Sequence, residues 1–230
     1  MKKNKLGLNT VCTHVGAIED TQFKGAISPI YLSSSYAFED VDEKRYPRYF
    51  NTPNQEFLSK KIAALEGTEG ALIFSSGMAA ISHMFLAFLQ KGDHLVVQNT
   101  LYGGTVNFIK EEFPKYGIEY TFTNGYKAKD FEDVIQSNTK LIHIETPSNP
   151  LLTITDIRDV TQIAKSKGIL TSIDNTFASP INQKPIEFGV DLVMHSATKY
   201  FGGHSDLSAG AVASSHQNIE RIWNVSKNLG

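Results

Sequence analysis

Two short polar clusters in this chain carry residues able to do covalent chemistry. Ser196-Ala197-Thr198-Lys199-Tyr200 follows the apolar run Leu192–Met194, and Asp174-Asn175-Thr176 follows Ile169–Ile173. Both runs read as buried strands. Strands that end in a lone lysine and a lone acid place an amine and a carboxylate at one edge of a sheet. A neutral amine condenses with an aldehyde to a Schiff base. A carboxylate favours the protonated form of a ring nitrogen beside it.

Three further motifs follow predicted strands. Ser75-Ser76-Gly77-Met78 comes after Ala71–Phe74. Small residues opening a helix expose backbone N–H groups and a positive dipole end, which suits a phosphate; a serine-capped turn has the same composition. Leu101-Tyr102-Gly103-Gly104-Thr105 comes after His94–Val97 and offers a ring that can stack on a planar ligand, or a plain turn. Glu145-Thr146-Pro147-Ser148-Asn149-Pro150 comes after Lys140–Ile144. Its prolines fix the loop, which either presents the Asn149 amide to a phenolic oxygen or is only a rigid turn. Asp174 also reads as a cap, and Lys199 as a surface lysine. Ser196 and Thr198 stand where they could hold a phosphate, and Gly202-Gly203 let the chain bend away. Each motif is weak alone, but in sheet order all five line the same edge. An amine and an acid placed this way are the two protein groups that pyridoxal 5'-phosphate (PLP) requires.

The elements that must position these groups follow from hydrophobic periodicity. Strands are predicted over 71–74, 94–97, 118–122, 140–144, 169–173, 191–195 and 210–213. Helices are predicted over 55–65, 77–89, 106–113, 131–137, 157–167 and 219–228. Short Val- and Ile-rich strands separated by helices give an α/β fold. Its seven-stranded sheet is mostly parallel, with helices on both faces, and its ligand sits at the carboxyl ends of the strands. Residues 1–45 show little periodicity and read as an N-terminal arm. Tyr31, Tyr36 and Phe38 in that arm need a surface to lie on, and a partner subunit is the expected one. Residues 46–230 form the expected cofactor-binding domain.

Composition excludes several classes. At 230 residues and a formal charge of −2, the chain is sized for one large domain and gives no reason to expect nucleic acid or an anionic membrane as partner. No apolar run approaches the ~18–20 residues of a membrane span. Met1-Lys2-Lys3-Asn4-Lys5 is basic without an apolar stretch behind it, so no secretory signal is expected. A single cysteine, Cys12, cannot form an internal disulfide, which fits a reducing cytoplasm. Only His14 stands near it to activate the thiol. His195 and His204 lack ligand partners at usable spacing, so no metal is expected. Ser196 and Lys199 match the Ser-x-x-Lys pair of some serine hydrolases, but the Ser-Asp-Asn and Lys-Thr-Gly elements that chemistry needs do not occur.

From about Thr13 to Gly230 the chain resembles the trans-sulfuration, or Cys/Met metabolism, family of PLP enzymes of fold type I. The resemblance rests on the five motifs above together with Pro29-Ile30-Tyr31, Tyr46-Pro47-Arg48, Ala63-Ala64-Leu65-Glu66-Gly67 and Gly203-His204-Ser205-Asp206. It implies that Lys199 holds PLP covalently and moves protons between substrate carbons. It implies that Asp174 keeps the pyridine nitrogen protonated, and that Tyr102 stacks on the ring and helps activate the incoming amine. Gly77, Met78, Ser196 and Thr198 would bind the phosphate. Asn149 would sit by the phenolic oxygen, with Glu145 as a supporting residue. Tyr46 and Arg48 would reach the phosphate of a neighbouring subunit's cofactor, so the active unit would be a dimer or tetramer. Attack on the aldehyde needs a neutral amine, which burial of Lys199 beside a cation would favour.

The implied activity is elimination or replacement at Cβ or Cγ of a small sulfur amino acid: cystathionine, cysteine, methionine or O-acylhomoserine. Two departures stand out. Asn51-Thr52-Pro53-Asn54 replaces the usual Asn-Pro-Thr element. The small C-terminal domain, with its substrate-carboxylate arginine, has no counterpart here, so a large domain without it is expected. A PLP-binding, non-catalytic form is the alternative. Gly104 differs from the cysteine frequent in methionine γ-lyases, and Gly203-His204-Ser205-Asp206 leans towards cystathionine lyases and synthases.

Overall fold

The computed structural model describes residues 6–230; residues 1–5, the basic start of the predicted arm, lie outside the described residues. The predicted strands appear as β1 (Gly70–Phe74), β2 (His94–Val97), β3 (Glu119–Phe122), β4 (Thr139–Glu145), β5 (Leu170–Asp174), β6 (Leu192–His195) and β7 (Gly210–Ser214). They form one sheet in the order β1-β7-β6-β5-β4-β2-β3. The pairs from β3 to β6 are parallel; β7 runs antiparallel to both its neighbours.

The helices are α1 (Leu8–His14), α2 (Pro53–Glu66), α3 (Gly77–Phe88), α4 (Gly103–Tyr116), α5 (Ala128–Glu132), α6 (Ile157–Ser166), α7 (Ser179–Asn182) and α8 (His216–Leu229). Alternation along the strands sorts the core into two layers. Leu72, Leu95, Leu141, Leu192 and Val212 face α3, α4 and α8, where Phe85 and Phe113 are fully buried. Ile142, Ile144, Ile173 and Val193 face α6, and Ala71, Ala211 and Ala213 face α2. Burying each large apolar side chain contributes about 1.5–3 kcal/mol, so both layers are needed to hold the sheet.

The differences from the predicted elements have local causes. The arm is not extended throughout: α1 forms, and Lys61 Nζ donates to the Cys12 carbonyl at 2.6 Å, tying it to α2. Helix α4 runs past Pro114 to Gly117, whose φ of 66° closes it. The predicted end at Phe113 falls just before Pro114, which sits inside the last turn of α4. Helix α5 lies earlier than predicted because the Asp130 carboxylate accepts from the Lys127 N–H at 2.9 Å and fixes the start. The departure at Asn51-Thr52-Pro53-Asn54 is a helix cap: the Gln55 side chain accepts from the Thr52 N–H at 3.0 Å, and Pro53 opens α2.

One core residue makes the fold acid-sensitive. His143 on β4 is fully buried, bonded through Nδ1 to Ser172 Oγ at 2.9 Å, while its Nε2 has no hydrogen-bond partner among the described residues. Burial pushes the imidazole down from its ordinary 6.5 to about 3. Below pH 6.5 the unfolded chain takes up a proton that the folded site refuses, so this stability is present above 6.5 and lost as pH falls towards 3. The expected slope is about 1.4 kcal/mol per pH unit. Urea midpoints between pH 7 and 5 should fall less steeply for His143→Gln than for the parent. Identical slopes would refute this.

Candidate active site

The carboxyl edge of β4, β5 and β6 opens into a cavity of about 230 Å³. Its walls include Gly77 and Met78 from the start of α3, Tyr102, Glu145, Asn149, Asp174, Thr176, Ser196, Thr198 and Lys199. Nine of the eleven site residues expected from sequence, Glu145 included, therefore meet in one place. Tyr46 and Arg48 do not. They lie on a 3-10 turn at Pro47–Tyr49, where Arg48 donates to the Lys227 carbonyl and its guanidinium stands 5.5 Å from the Tyr49 ring centroid.

Two carboxylates stand level on adjacent strands, because Glu145 of β4 pairs in register with Asp174 of β5. Both are buried. Asp174 Oδ1 accepts from Thr176 Oγ1 at 2.5 Å and from the Thr176 N–H at 3.0 Å. The Thr176 hydroxyl in turn accepts from the Ser196 N–H at 2.8 Å, which links β5 to the loop carrying Lys199. Burial raises the Asp174 carboxyl above its usual range, against the lowering effect of the Thr176 bonds and the His195 ring. Glu145 is pushed up to about 7 by burial and by the neighbouring Asp174 charge. Its oxygens accept from the Tyr102 and Asn149 N–H groups, each at 2.7 Å, so Glu145 shapes the two loops whose side chains line the cavity.

Close approach explains the glycines. A Cβ on Gly77 would meet Ser196 Cβ at 2.8 Å, so only glycine lets α3 begin against the lysine loop. A Cβ on Gly104 would meet Tyr102 Cε1 at 2.5 Å and Met78 Sδ at 3.0 Å. A cysteine at 104 would displace the Tyr102 ring. The Thr198 hydroxyl is committed to the backbone of Ala209, donating to its carbonyl and accepting from its N–H, both at 3.0 Å. Lys199 stands exposed at the rim, so this chain's own residues do not supply the burial expected for it.

The cavity fits a flat cation that carries a phosphate. Among the described residues Asp174 Oδ2 has no hydrogen-bond donor, and neither of the two adjacent buried carboxylates has a salt-bridge partner. A protonated ring nitrogen answers both needs. The α3 N-terminus, with Ser76 Oγ accepting from the Ala79 N–H at 3.0 Å, leaves its first N–H groups for an anion. Among the described residues no three His, Cys, Asp or Glu side chains converge as metal ligands. No helix among them is long and apolar enough to cross a membrane.

Sequence reasoning missed three residues here. Thr176 was grouped with Asp174 but given no role, and His195 was weighed only as a metal ligand. Glu66 was quoted only within the motif that ends α2. Nothing in the sequence marks the contact between Glu66 and His195, which depends on how α2 lies on the sheet.

The profile of the Cys/Met metabolism PLP-dependent enzyme family matches residues 9–230. A cystathionine beta-lyase of Bacillus subtilis is 44% identical over 217 residues, covering 93% of this chain and 55% of that protein. A cystathionine gamma-lyase of the same organism is 40% identical over 234 residues, covering 100% of this chain and 60% of that protein. The crystal structure of metB from Corynebacterium glutamicum superposes with a TM-score of 0.93 at 38% identity, covering 99% of this chain and 60% of that one. The chain thus spans little more than half the length of these relatives.

Proposed function

The chain belongs to the Cys/Met metabolism family of PLP-dependent enzymes, and from that premise we propose that it catalyses elimination or replacement at Cβ or Cγ of a sulfur amino acid or an activated homoserine. The observation that carries the proposal is one cavity lined by the Lys199 amine and the Asp174 carboxylate, with a helix N-terminus beside them. Cystathionine is the preferred substrate class, supported by Gly104 under the Tyr102 ring and by relatives named for cystathionine.

PLP, when bound, supplies an aldehyde and an electron-withdrawing ring that stabilises negative charge at a substrate carbon. Lys199 would hold the cofactor through Nζ. The same amine, when free, would take the proton from the substrate Cα and return it to a neighbouring carbon. The Asp174 carboxylate would pair with the ring nitrogen and keep it protonated. The N–H groups of Gly77 and Met78, with Ser196, would hold the phosphate at the positive end of α3, and Thr198 would join them by giving up its bond to the Ala209 carbonyl. Tyr102 would stack on the ring and help activate the incoming amine. Asn149 stands by the phenolic oxygen, and Glu145 keeps Tyr102 and Asn149 in place.

Tyr46 and Arg48 serve the site of a second copy, so the working unit is a dimer or tetramer. Arg48 suits phosphate because its planar fork grips two oxygens. The described part of the arm, residues 6–45, would lie against that copy. It leaves Ile27, Ile30 and Leu32 at 86%, 79% and 92% exposure, apolar surface that a partner would cover.

The test is turnover by PLP-loaded protein with cystathionine, methionine, and O-acylhomoserine plus cysteine. Pyruvate reports cleavage at Cβ, 2-oxobutyrate elimination at Cγ, and new cystathionine replacement. Cystathionine chemistry is expected to exceed methionine cleavage by ~10-fold or more, the range one misfitted group costs in a pocket. A protein that stays colourless with PLP and yields none of these products would refute the proposal.

A further inference from the structure

We infer that Glu66 is a positioning residue for the cofactor site, acting through His195 and Asn175 to fix the ends of β5 and β6. The inference rests on the functional reading above. Glu66 is the last residue of α2 and is fully buried, as is Asn175; His195 is 2% exposed. Glu66 Oε1 accepts from Asn175 Nδ2 at 2.9 Å and bonds His195 Nε2 at 2.5 Å. Asn175 directly follows Asp174, and His195 directly precedes Ser196. One carboxylate oxygen therefore grips two adjacent strands at the residues next to those that line the cavity.

The alternation of a strand puts these groups on the α2 face, back to back with Asp174 on the cavity face. The tie extends to β4. Gln183 Nε2 donates to Asn175 Oδ1 at 2.8 Å and to the Thr146 carbonyl at 2.9 Å, and Thr146 directly follows Glu145. The ends of β4, β5 and β6 are thus joined behind the cavity by side chains that do not line it with Glu66.

Glu66 is an expensive choice for the end of a helix. Its Oε2 is buried with no hydrogen-bond partner among the described residues. An unsatisfied buried acceptor costs stability, and replacing a buried ionic group by an apolar one of similar size is often neutral or stabilising. A residue kept only for packing would be apolar. What the carboxylate adds is geometry at Asp174 and Ser196, and such support behind a site has large effects on its function.

The test compares Glu66→Leu, Glu66→Gln and His195→Leu with the parent, titrating PLP by fluorescence and recording visible circular dichroism of the bound cofactor. Glu66→Leu and His195→Leu are expected to bind PLP about 10–100-fold more weakly and to lose most of the visible signal, which reports a fixed ring. Glu66→Gln keeps an acceptor oxygen and is expected to restore most of both, which packing alone would not do. Folded Glu66→Leu with parental affinity and signal would overturn the inference; so would Glu66→Gln behaving no better than Glu66→Leu. If Glu66→Leu does not fold, His195→Leu reads the same quantities with the same two outcomes. A parent protein that takes up no PLP overturns the functional reading and this inference together, whereas unchanged variants of a PLP-binding parent overturn this inference alone.

Discussion

Lys199→Ala protein, mixed with PLP, reduced with borohydride and then denatured, is expected to release all its cofactor, whereas the parent keeps it covalently attached. Its turnover is expected to fall ~1000-fold or more. The removal of a positioned acid–base group alone costs about 100- to 10,000-fold, and loss of the covalent attachment adds to that. The fold should not suffer. Lys199 is exposed, and no side-chain bond to its Nζ occurs among the described residues, so the thermal midpoint should stay close to the parent's. Lys199→Arg keeps a charge at the rim but cannot form the bond, and it should behave like the alanine variant. Mass spectrometry of a borohydride-treated digest decides the matter: a reduced adduct on any lysine other than Lys199 would sink the assignment.

Asp174→Asn is expected to separate stability from function. Loaded with PLP, the variant should turn over roughly 100- to 1000-fold more slowly and bind cofactor less tightly. Removing one partner of a buried charge pair costs about 3–5 kcal/mol. Without cofactor the effect should reverse. Burial raises the Asp174 carboxyl above its ordinary 3.8, and Glu145 beside it rises from 4.5 to about 7. For groups raised in the folded state, the contribution to stability is full below the unfolded value. It is lost as pH rises through the folded value. Cofactor-free parent should therefore lose this contribution between about pH 4.5 and 7, and Asp174→Asn should lose less of it. Calorimetric midpoints at pH 5 and 8, with and without PLP, test both halves. A variant less stable than the parent at pH 8 without PLP, or equally stabilised by PLP, would contradict the account.

Much of the site was legible because the chemistry sits where strand periodicity stops. Asp174 ends β5, Glu145 ends β4, and Lys199 follows β6, so finding the strands found the groups. Gly77 was legible for the same reason at the start of α3. Helix ends were harder. Periodicity ended α4 at Phe113 although the helix continues through Pro114, and α5 was misplaced because its Asp130 cap outweighs the apolar pattern beyond. Tyr46 and Arg48 were recognisable as a motif, but they stay outside this chain's own cavity, and the role proposed for them needs a second copy.

Periodicity and end-of-strand composition by themselves determined an α/β chain whose reactive groups share one sheet edge, since alternation and length are local properties. The order in which strands lie side by side is not local. Only the folded sheet put β4 beside β5 in the register that levels Glu145 with Asp174, and so raised both carboxyls by burial and Glu145 further by the Asp174 charge. Only the docking of α2 brought Glu66 against His195 and Asn175. Those contacts join residues far apart along the chain, and their energies depend on distances that the packing of the two layers sets.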